Sequence, residues 1–297
     1  IIDGSATING SVYGGGNYGA TGTNTDADTY TLVNILGGTI NGSVYGAANR
    51  NGAGSSTYRY NRTTLNRGGQ TPRDGVHLYI NGEKINGRVT CNESFPGFNG
   101  NNCYYFTSNQ NGNYVFDKET NIFVESNSAI RPRLPHSLII NMYGGNINGS
   151  LYGGSNITGN VYADVDINLY KGSVNSATSG VYGGGKGQNT TILSSTFIDT
   201  KTDTNSDLKI NEIYGGSELG SVNNIGVTNI NIDGGIIGNV YGGGKGNNNV
   251  SPNTDGNITV NMLNGDVNNI FGGNNIRGVI DTISTVNVSG GVIGNVY

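Results

Sequence analysis

The chain has 297 residues, including 52 glycines and five prolines; 12% of its residues are charged, and its formal net charge is −4. These values exclude a collagen-like or proline-rich sequence, and the small charge gives no support for a nucleic-acid partner. No apolar run is long enough to span a membrane as a helix. Because charged residues are scarce, Asn, Ser, Thr and Gly must form the solvent-facing surface, which suits contact with neutral polymers or other copies.

A glycine-rich unit recurs in chain order. It reads TINGSVYGGGN at 7–17, GGTINGSVYGAAN at 37–49, GGNINGSLYGGSN at 144–156 and DGGIIGNVYGGGKG at 233–246. From Tyr152 onward, the aromatic residue of the unit returns at intervals of 26 to 32 residues. A period of this size is typical of repeat proteins, in which each unit buries its apolar face only against its neighbours.

Each unit predicts two short strands joined by a glycine turn. In the first strand, aliphatic residues alternate with asparagine, as in Val260-Asn261-Met262, so the aliphatic side chains share one face. In the second strand we expect Ile236 and Val240, and likewise Val292 and Val296, to share the inward face. The aromatic residue that follows is expected to point to the other side, and the glycines after it end the strand.

These patterns predict an all-β fold: a parallel β-solenoid (β-helix) of Gly/Asn-rich repeats of about 30 residues, with a non-repeat insertion in the N-terminal half. Glycine and asparagine recur too often for a helix, and propeller blades need longer repeats. Stacked coils would align equivalent side chains into columns. The asparagine column is Asn34, Asn141, Asn168, Asn231, Asn261 and Asn287. The aromatic stacking ladder is Tyr13, Tyr45, Tyr152, Tyr182, Tyr214, Tyr241, Phe271 and Tyr297.

The repeated pattern GG-x-I-x-G-x-V-Y-G-G resembles the coils of bacterial secreted and cell-surface β-solenoid proteins. These include adhesins, autotransporter passenger domains and the glycine-rich strand-repeat proteins of gut anaerobes. The resemblance covers 1–49 and 136–297. It implies an extracellular or cell-surface location and a role in adhesion or scaffolding. Since the pattern describes architecture rather than activity, no functional residue is carried over from these families.

The period divides the chain into five segments. They are solenoid coils at 1–49, an Arg-rich insertion loop at 50–74, one further coil at 75–90, an aromatic, Cys-containing insertion at 91–135, and coils at 136–297. The insertions are the predicted interaction surface, for an anionic polymer or the acidic side of a neighbouring chain, with a solvated loop as the alternative. The candidate residues are Arg50, Tyr58, Arg59, Tyr60, Arg62, Arg67, Arg73, Phe95, Phe98, Tyr104 and Tyr105.

Two features of the loops raise the question of crosslinks and metals. Cys91 and Cys103 are the two cysteines, which we expect to form a disulfide in a secreted protein and to stay as thiols in the cytosol. Alternate oxygen-bearing residues at 24–28 and 203–207 have a spacing that calcium ligands use, but the glycine and glutamate of an EF-hand loop are absent. We therefore predict no cofactor and no metal site, with Ca²⁺ as the open alternative.

The sequence does not support catalysis. The motif GVYGGGKG at 180–187 begins like a phosphate-binding loop, but Gly187 stands where Ser or Thr would hold magnesium, and GGGKG recurs at 242–246 as part of the repeat. The two histidines, His77 and His136, are interpreted as structural. Without a recurrent carboxylate cluster, we predict that the chain is not an enzyme, and a β-helix polysaccharide-degrading enzyme is the least favoured alternative.

The predicted function is that of an extracellular structural or adhesive protein, a rigid rod whose partners are other copies of itself or host and cell-surface glycans. A carbohydrate-binding module is the alternative, with the aromatic ladder as a sugar-stacking platform. The favoured interpretation of the ladder is instead that each ring stacks on the next coil and shields its backbone. Since Ile1-Ile2 and Val296-Tyr297 would leave open coil edges, we expect head-to-tail fibres or a longer repeat array of which this is a piece.

Overall fold

The computed structural model describes residues 1–19, 31–50, 138–161, 163–201, 207–222 and 227–297, together with the backbone of seven strands between 78 and 130. Within these residues the secondary structure is entirely β, as the sequence predicts. This described part of the chain contains no helix that could cross a membrane.

One sheet of 17 strands holds most of the described chain. Before the insertion its strands are β1 (Thr7–Ile8), β2 (Val12–Tyr13), β3 (Thr31–Ile35), β4 (Thr39–Ile40) and β5 (Val44–Tyr45). It continues with β13 (Leu138–Met142), β14 (Asn146–Ile147), β15 (Leu151–Tyr152), β17 (Val165–Leu169), β18 (Gly172–Val174), β19 (Val181–Tyr182), β21 (Thr196–Lys201) and β22 (Leu208–Tyr214). It ends with β24 (Thr228–Tyr241), β25 (Ile258–Phe271), β26 (Ser284–Val288) and β27 (Val292–Val296).

Three smaller sheets hold the other strands. A parallel sheet contains β16 (Thr158–Val161), β20 (Asn189–Ile192) and β23 (Ser221–Val222). An antiparallel sheet in the insertion contains β8 (Gly87–Thr90), β9 (Cys103–Thr107), β10 (Tyr114–Asp117), β11 (Ile122–Glu125) and β12 (Ser128–Ile130). The antiparallel pair is β6 (Leu78–Ile80) and β7 (Glu83–Ile85). The segment 75–90, expected as a coil, therefore shows antiparallel pairing where it is described.

The strands of the large sheet pair in parallel, in a register that aligns equivalent residues. For example, β13 pairs with β3 and with β17, so Asn141 lies between Asn34 and Asn168. We call each layer of such strands a level and number it by its aromatic residue. Levels 1 to 8 contain, in order, Tyr13, Tyr45, Tyr152, Tyr182, Tyr214, Tyr241, Phe271 and Tyr297. Parallel pairing of this kind is consistent with a β-solenoid.

The aliphatic side chains of the first strands pack into one continuous core. Ile140, Ile167, Ile230 and Val260 occupy one row, and each is 0% exposed. Complete burial of such a side chain contributes about 1.5–3 kcal/mol to folding. The row is continuous because each side chain contacts its equivalent on the neighbouring level, as the alternation of aliphatic residues and asparagine predicts for these strands.

The inward face of the second strand differs from the prediction in the later levels. Ile236 is 51% exposed and Val292 is 68% exposed, whereas Ile237 is 1% exposed and belongs to the core. Ile236 is paired with Lys209, in an outward row. The expectation for Ile236 and Val292 was wrong because GGIIGNVY is one residue shorter than GGTINGSVY, so Ile237 is the residue equivalent to Ile40.

Backbone contact between levels explains one recurrent glycine of the unit. A Cβ atom on Gly42 would lie 2.5 Å from the carbonyl oxygen of Gly10, and one on Gly149 would lie 2.5 Å from that of Gly42. Gly10 occupies the same place on level 1, where no atom would lie within 4 Å of the added carbon. The steric requirement for glycine therefore comes from the preceding level rather than from the local turn.

Candidate functional site

The aromatic residues form an unbroken stack through all eight levels. Neighbouring ring centroids are 4.7 to 5.0 Å apart and the ring planes lie within 2 to 11° of each other. Rings at the centre of the stack are buried, with Tyr182 1% and Tyr214 0% exposed, whereas Tyr297 on level 8 is 69% exposed. The central rings therefore contact one another, and their faces are not accessible to a sugar ring.

A polar residue from a later level contacts the hydroxyl group of each of four tyrosines. Every such residue is the fourth after the aromatic residue of its own level, and it reaches a tyrosine two levels earlier. The contacts are Asn156 Nδ2 donating to Tyr13 Oη (3.4 Å), Tyr152 Oη donating to Glu218 Oε2 (2.5 Å), Lys245 Nζ donating to Tyr182 Oη (3.4 Å) and Asn275 Nδ2 donating to Tyr214 Oη (2.7 Å).

We call Asn156, Glu218, Lys245 and Asn275 the hydroxyl row. The sequence reasoning missed it, although the fixed distance from each aromatic residue was a visible signal. The row also gives a structural role to Lys245, the lysine of the second GGGKG motif. Its Nζ lies 3.7 Å from Glu212 Oε2, and Glu212 Oε2 in turn accepts a hydrogen bond of 2.8 Å from Tyr214 Oη. The lysine therefore has tyrosine and carboxylate partners within the protein.

Burial raises the pKa of the stacked tyrosines. It raises the pKa of Tyr45 to about 12. It also raises the pKa of Tyr152 and Tyr182, and the negative charge of Glu218 acts in the same direction on both. For Tyr214, burial is again the main cause of a raised pKa. These phenols are therefore neutral at physiological pH, where they act as hydrogen-bonding groups and not as bases.

Side-chain hydrogen bonds connect most neighbouring members of the asparagine column. Each Nδ2 donates to the Oδ1 atom of the preceding level: Asn141 to Asn34 at 2.9 Å, Asn168 to Asn141 at 3.0 Å, Asn231 to Asp199 at 2.7 Å, Asn261 to Asn231 at 2.8 Å, and Asn287 to Asn261 at 2.9 Å. Asp199 replaces asparagine on level 5, a substitution that the sequence reasoning did not include. Asp199 accepts from the amide of Asn231, but it has no N–H group to donate to Asn168, so the amide donor pattern runs in two segments, 34–168 and 199–287.

The predicted interaction residues are only partly described. Arg50 is exposed, and its guanidinium carbon lies 5.4 Å from the ring centroid of Tyr18, which is itself 65% exposed. Tyr104, Tyr105 and Cys103 lie on strand β9, where only the backbone is described. The positions outside the described residues are Tyr58, Arg59, Tyr60, Arg62, Arg67, Arg73, Cys91, Phe95 and Phe98. The predicted disulfide accordingly stays a prediction.

The described residues contain no group of three or more His, Cys, Asp or Glu side chains that could hold a metal ion. Of the two stretches considered for Ca²⁺, 24–28 and 203–205 lie outside the described residues. Asp207 is described, and its Oδ2 lies 3.0 Å from Lys171 Nζ. This carboxylate is therefore engaged by an ammonium group.

Comparison with known proteins gives no relative. No protein-family profile matches the chain, and neither a curated protein nor a solved structure is similar to it at a significant level.

Proposed function

We propose that this protein is an extracellular structural and adhesive protein. It is a rigid β-solenoid built from Gly/Asn-rich coils of about 30 residues, and it acts as a scaffold rather than as a catalyst. Cell-surface or secreted placement is part of the same proposal. The partners proposed for it are further copies of the chain and surface glycans.

The continuous aromatic stack is the observation that carries this proposal. Seven ring-to-ring contacts connect eight levels without interruption. Each aromatic pair contributes about 0.5–1.5 kcal/mol beyond its buried area. Asparagine rows add hydrogen bonds between the same levels, so neighbouring levels are tied at several points around each coil. Such an arrangement resists bending and shear between levels, which is the property a scaffold requires.

The eight levels span only a short distance along the direction in which they stack. Seven steps of about 4.8 Å place level 8 about 34 Å from level 1. This is comparable to the width of a compact domain, so a long rod requires further levels stacked on β26 and β27. The outer residues of these strands are accessible, with Val288 51% and Val292 68% exposed. Further levels could come from another copy or from more of the same chain.

Negative-stain electron microscopy over a range of protein concentrations tests the assembly part of the proposal. We expect fibres whose length rises with concentration. Val292→Lys places a charge on the exposed strand β27 and should shorten them, because charged side chains on an edge strand oppose pairing with another chain. Ile157→Lys is the matched control, since Ile157 is 42% exposed but does not lie on the last level. Isolated particles at every concentration would exclude head-to-tail assembly.

A further inference from the structure

A groove of about 560 Å³ crosses three levels of the sheet. Residues 144–148 of level 3 form one side, residues between 171 and 176 of level 4 form the middle, and Asp207 and Lys209 of level 5 close the other side. None of the predicted interaction residues lies in it, but Asp207, from the stretch considered for Ca²⁺, does. The groove runs across the levels, parallel to the direction in which they stack.

Three glycines, Gly144, Gly145 and Gly172, line the groove. Gly172 has a φ of 106°, and a Cβ atom there would lie 2.4 Å from the carbonyl oxygen of Gly145. Gly145 itself has a φ of 85°. Side chains larger than hydrogen are therefore excluded at both positions by backbone contact and by strain. The same requirement that packs level 4 against level 3 leaves the space above them open.

Hydroxyl and amide groups on the rim are held in position before any ligand arrives. Ser173 Oγ donates to Asn146 Oδ1 at 2.8 Å, and Ser176 Oγ donates to the backbone oxygen of Asn148 at 2.9 Å. Asn148 Nδ2 in turn donates to Asn41 Oδ1 on level 2, at 2.8 Å. Because these side chains are already ordered, a ligand that hydrogen-bonds to them loses little side-chain entropy on binding.

The charges of the groove favour an anion. Its charged lining residues are Lys171, Lys209 and Asp207, so the groove carries a net charge of about +1 in a chain whose net charge is negative. Lys171 Nζ is 3.0 Å from Asp207 Oδ2. Lys209 is exposed, and no ion pair with it is found among the described residues. One ammonium group is thus open to a carboxylate.

The spacing of the groove suits a linear chain of sugars. Beside it, the rings of Tyr143 and Tyr170 on levels 3 and 4 stack with centroids 4.7 Å apart, which gives the distance between levels at this point. This distance is close to the length of one sugar ring in an extended glycan, so successive rings would meet Asn146, Ser173 and Lys209, which occupy paired positions on successive levels. We propose that the groove binds a glycan bearing carboxylates, with a uronate against Lys209 and sugar hydroxyls against the Asn and Ser side chains.

This inference supplies a ligand for the adhesive part of the proposed function, on which it rests, but it does not depend on fibre assembly. Isothermal titration calorimetry with hexasaccharides of mannuronate, galacturonate and hyaluronan tests it. We expect at least one to bind, and Lys209→Gln to weaken that binding about tenfold, which is about 1.4 kcal/mol, because it removes a charge-assisted hydrogen bond. Lys186→Gln, at an exposed lysine outside the groove, should leave the affinity unchanged.

A second variant is expected to change the affinity in the opposite direction. Asp207→Asn removes the one carboxylate of the groove and releases Lys171, so it should increase the affinity for the acidic hexasaccharide. Neutral mannose hexasaccharide should bind more weakly than any acidic probe that binds. Four results would each overturn the inference: no binding of any of the three acidic probes, equal losses in Lys209→Gln and Lys186→Gln, weaker binding in Asp207→Asn, or equal affinity for the neutral sugar. Whether or not a glycan binds, the prediction of fibres is tested separately by microscopy.

Discussion

Alkaline pH is expected to unfold this protein through its tyrosine stack. A free tyrosine has a pKa of 10.0, and burial raises the pKa of Tyr152 and Tyr182 above that value in the folded chain. Above pH 10 the unfolded chain therefore releases protons that the folded chain retains. By linkage, the stabilisation from these neutral hydroxyls is complete below pH 10 and is lost as the pH rises.

The size of the effect follows from the number of buried hydroxyls. While a hydroxyl stays protonated in the folded chain, it lowers the free energy of unfolding by about 1.4 kcal/mol per pH unit above its unfolded pKa. At about pH 11, Tyr152 and Tyr182 together thus lower the free energy of unfolding by about 3 kcal/mol. The pKa values of Tyr45 and Tyr214 shift in the same direction and increase the loss. Since domains are stable by only about 5–15 kcal/mol, a cooperative transition near pH 11 is expected.

Two signals followed together measure this prediction: far-ultraviolet circular dichroism for the sheet, and tyrosinate absorbance for ionisation. The part of the absorbance change that comes from Tyr45, Tyr152, Tyr182 and Tyr214, four of the 18 tyrosines, should coincide with loss of the sheet signal. Tyr182→Phe keeps the ring but removes one hydroxyl, so its stability should fall less steeply, by about 1.4 kcal/mol per pH unit. Tyr143→Phe, at a ring 44% exposed, is the control and should behave as the parent does. Complete ionisation near pH 10 with an intact sheet would refute the reasoning.

Substitutions of Glu218, Gly42 and Asn261 test the contacts between levels by urea denaturation. Glu218→Ala leaves the buried Tyr152 hydroxyl without its acceptor and should cost about 1–3 kcal/mol, whereas Glu218→Gln should recover part of the loss. Gly42→Ala should destabilise the protein by more than about 1 kcal/mol through its clash with the preceding level, and Gly10→Ala, with open space, should not. Asn261→Ala interrupts the asparagine row and should cost about 1–3 kcal/mol.

Each of these has an outcome that would contradict it. Equal stability of the two Glu218 variants would show that its hydrogen bond to Tyr152 contributes nothing. Equal effects at Gly42 and Gly10 would show that the turn itself, and not the neighbouring level, requires glycine. Asn261→Ser keeps a polar side chain too short to reach both neighbours, so a stability equal to that of the parent would show that the row is not a source of stability.

The sequence by itself determined the features that repeat with a fixed period. Alternation of aliphatic residues and asparagine in segments such as Val260-Asn261-Met262 assigned strands, because side chains alternate between the two faces of a strand. The recurrence of the aromatic residue placed Tyr152 and Tyr182 on neighbouring levels. Both conclusions are local: they need only the period and the geometry of an extended chain. The prediction that the chain forms no helix is local in the same sense, because it needs only the recurrence of glycine and asparagine.

Only the tertiary structure decided which residues meet between levels. The shorter unit GGIIGNVY is visible in the sequence, but pairing with Ile210 on the preceding level puts Ile237 inside and Ile236 outside. Glu218 meets Tyr152 two levels away, a contact that exists only once levels 3 to 5 are stacked. The groove near Lys209 likewise depends on three levels at once. Long-range register, rather than local preference, sets all three.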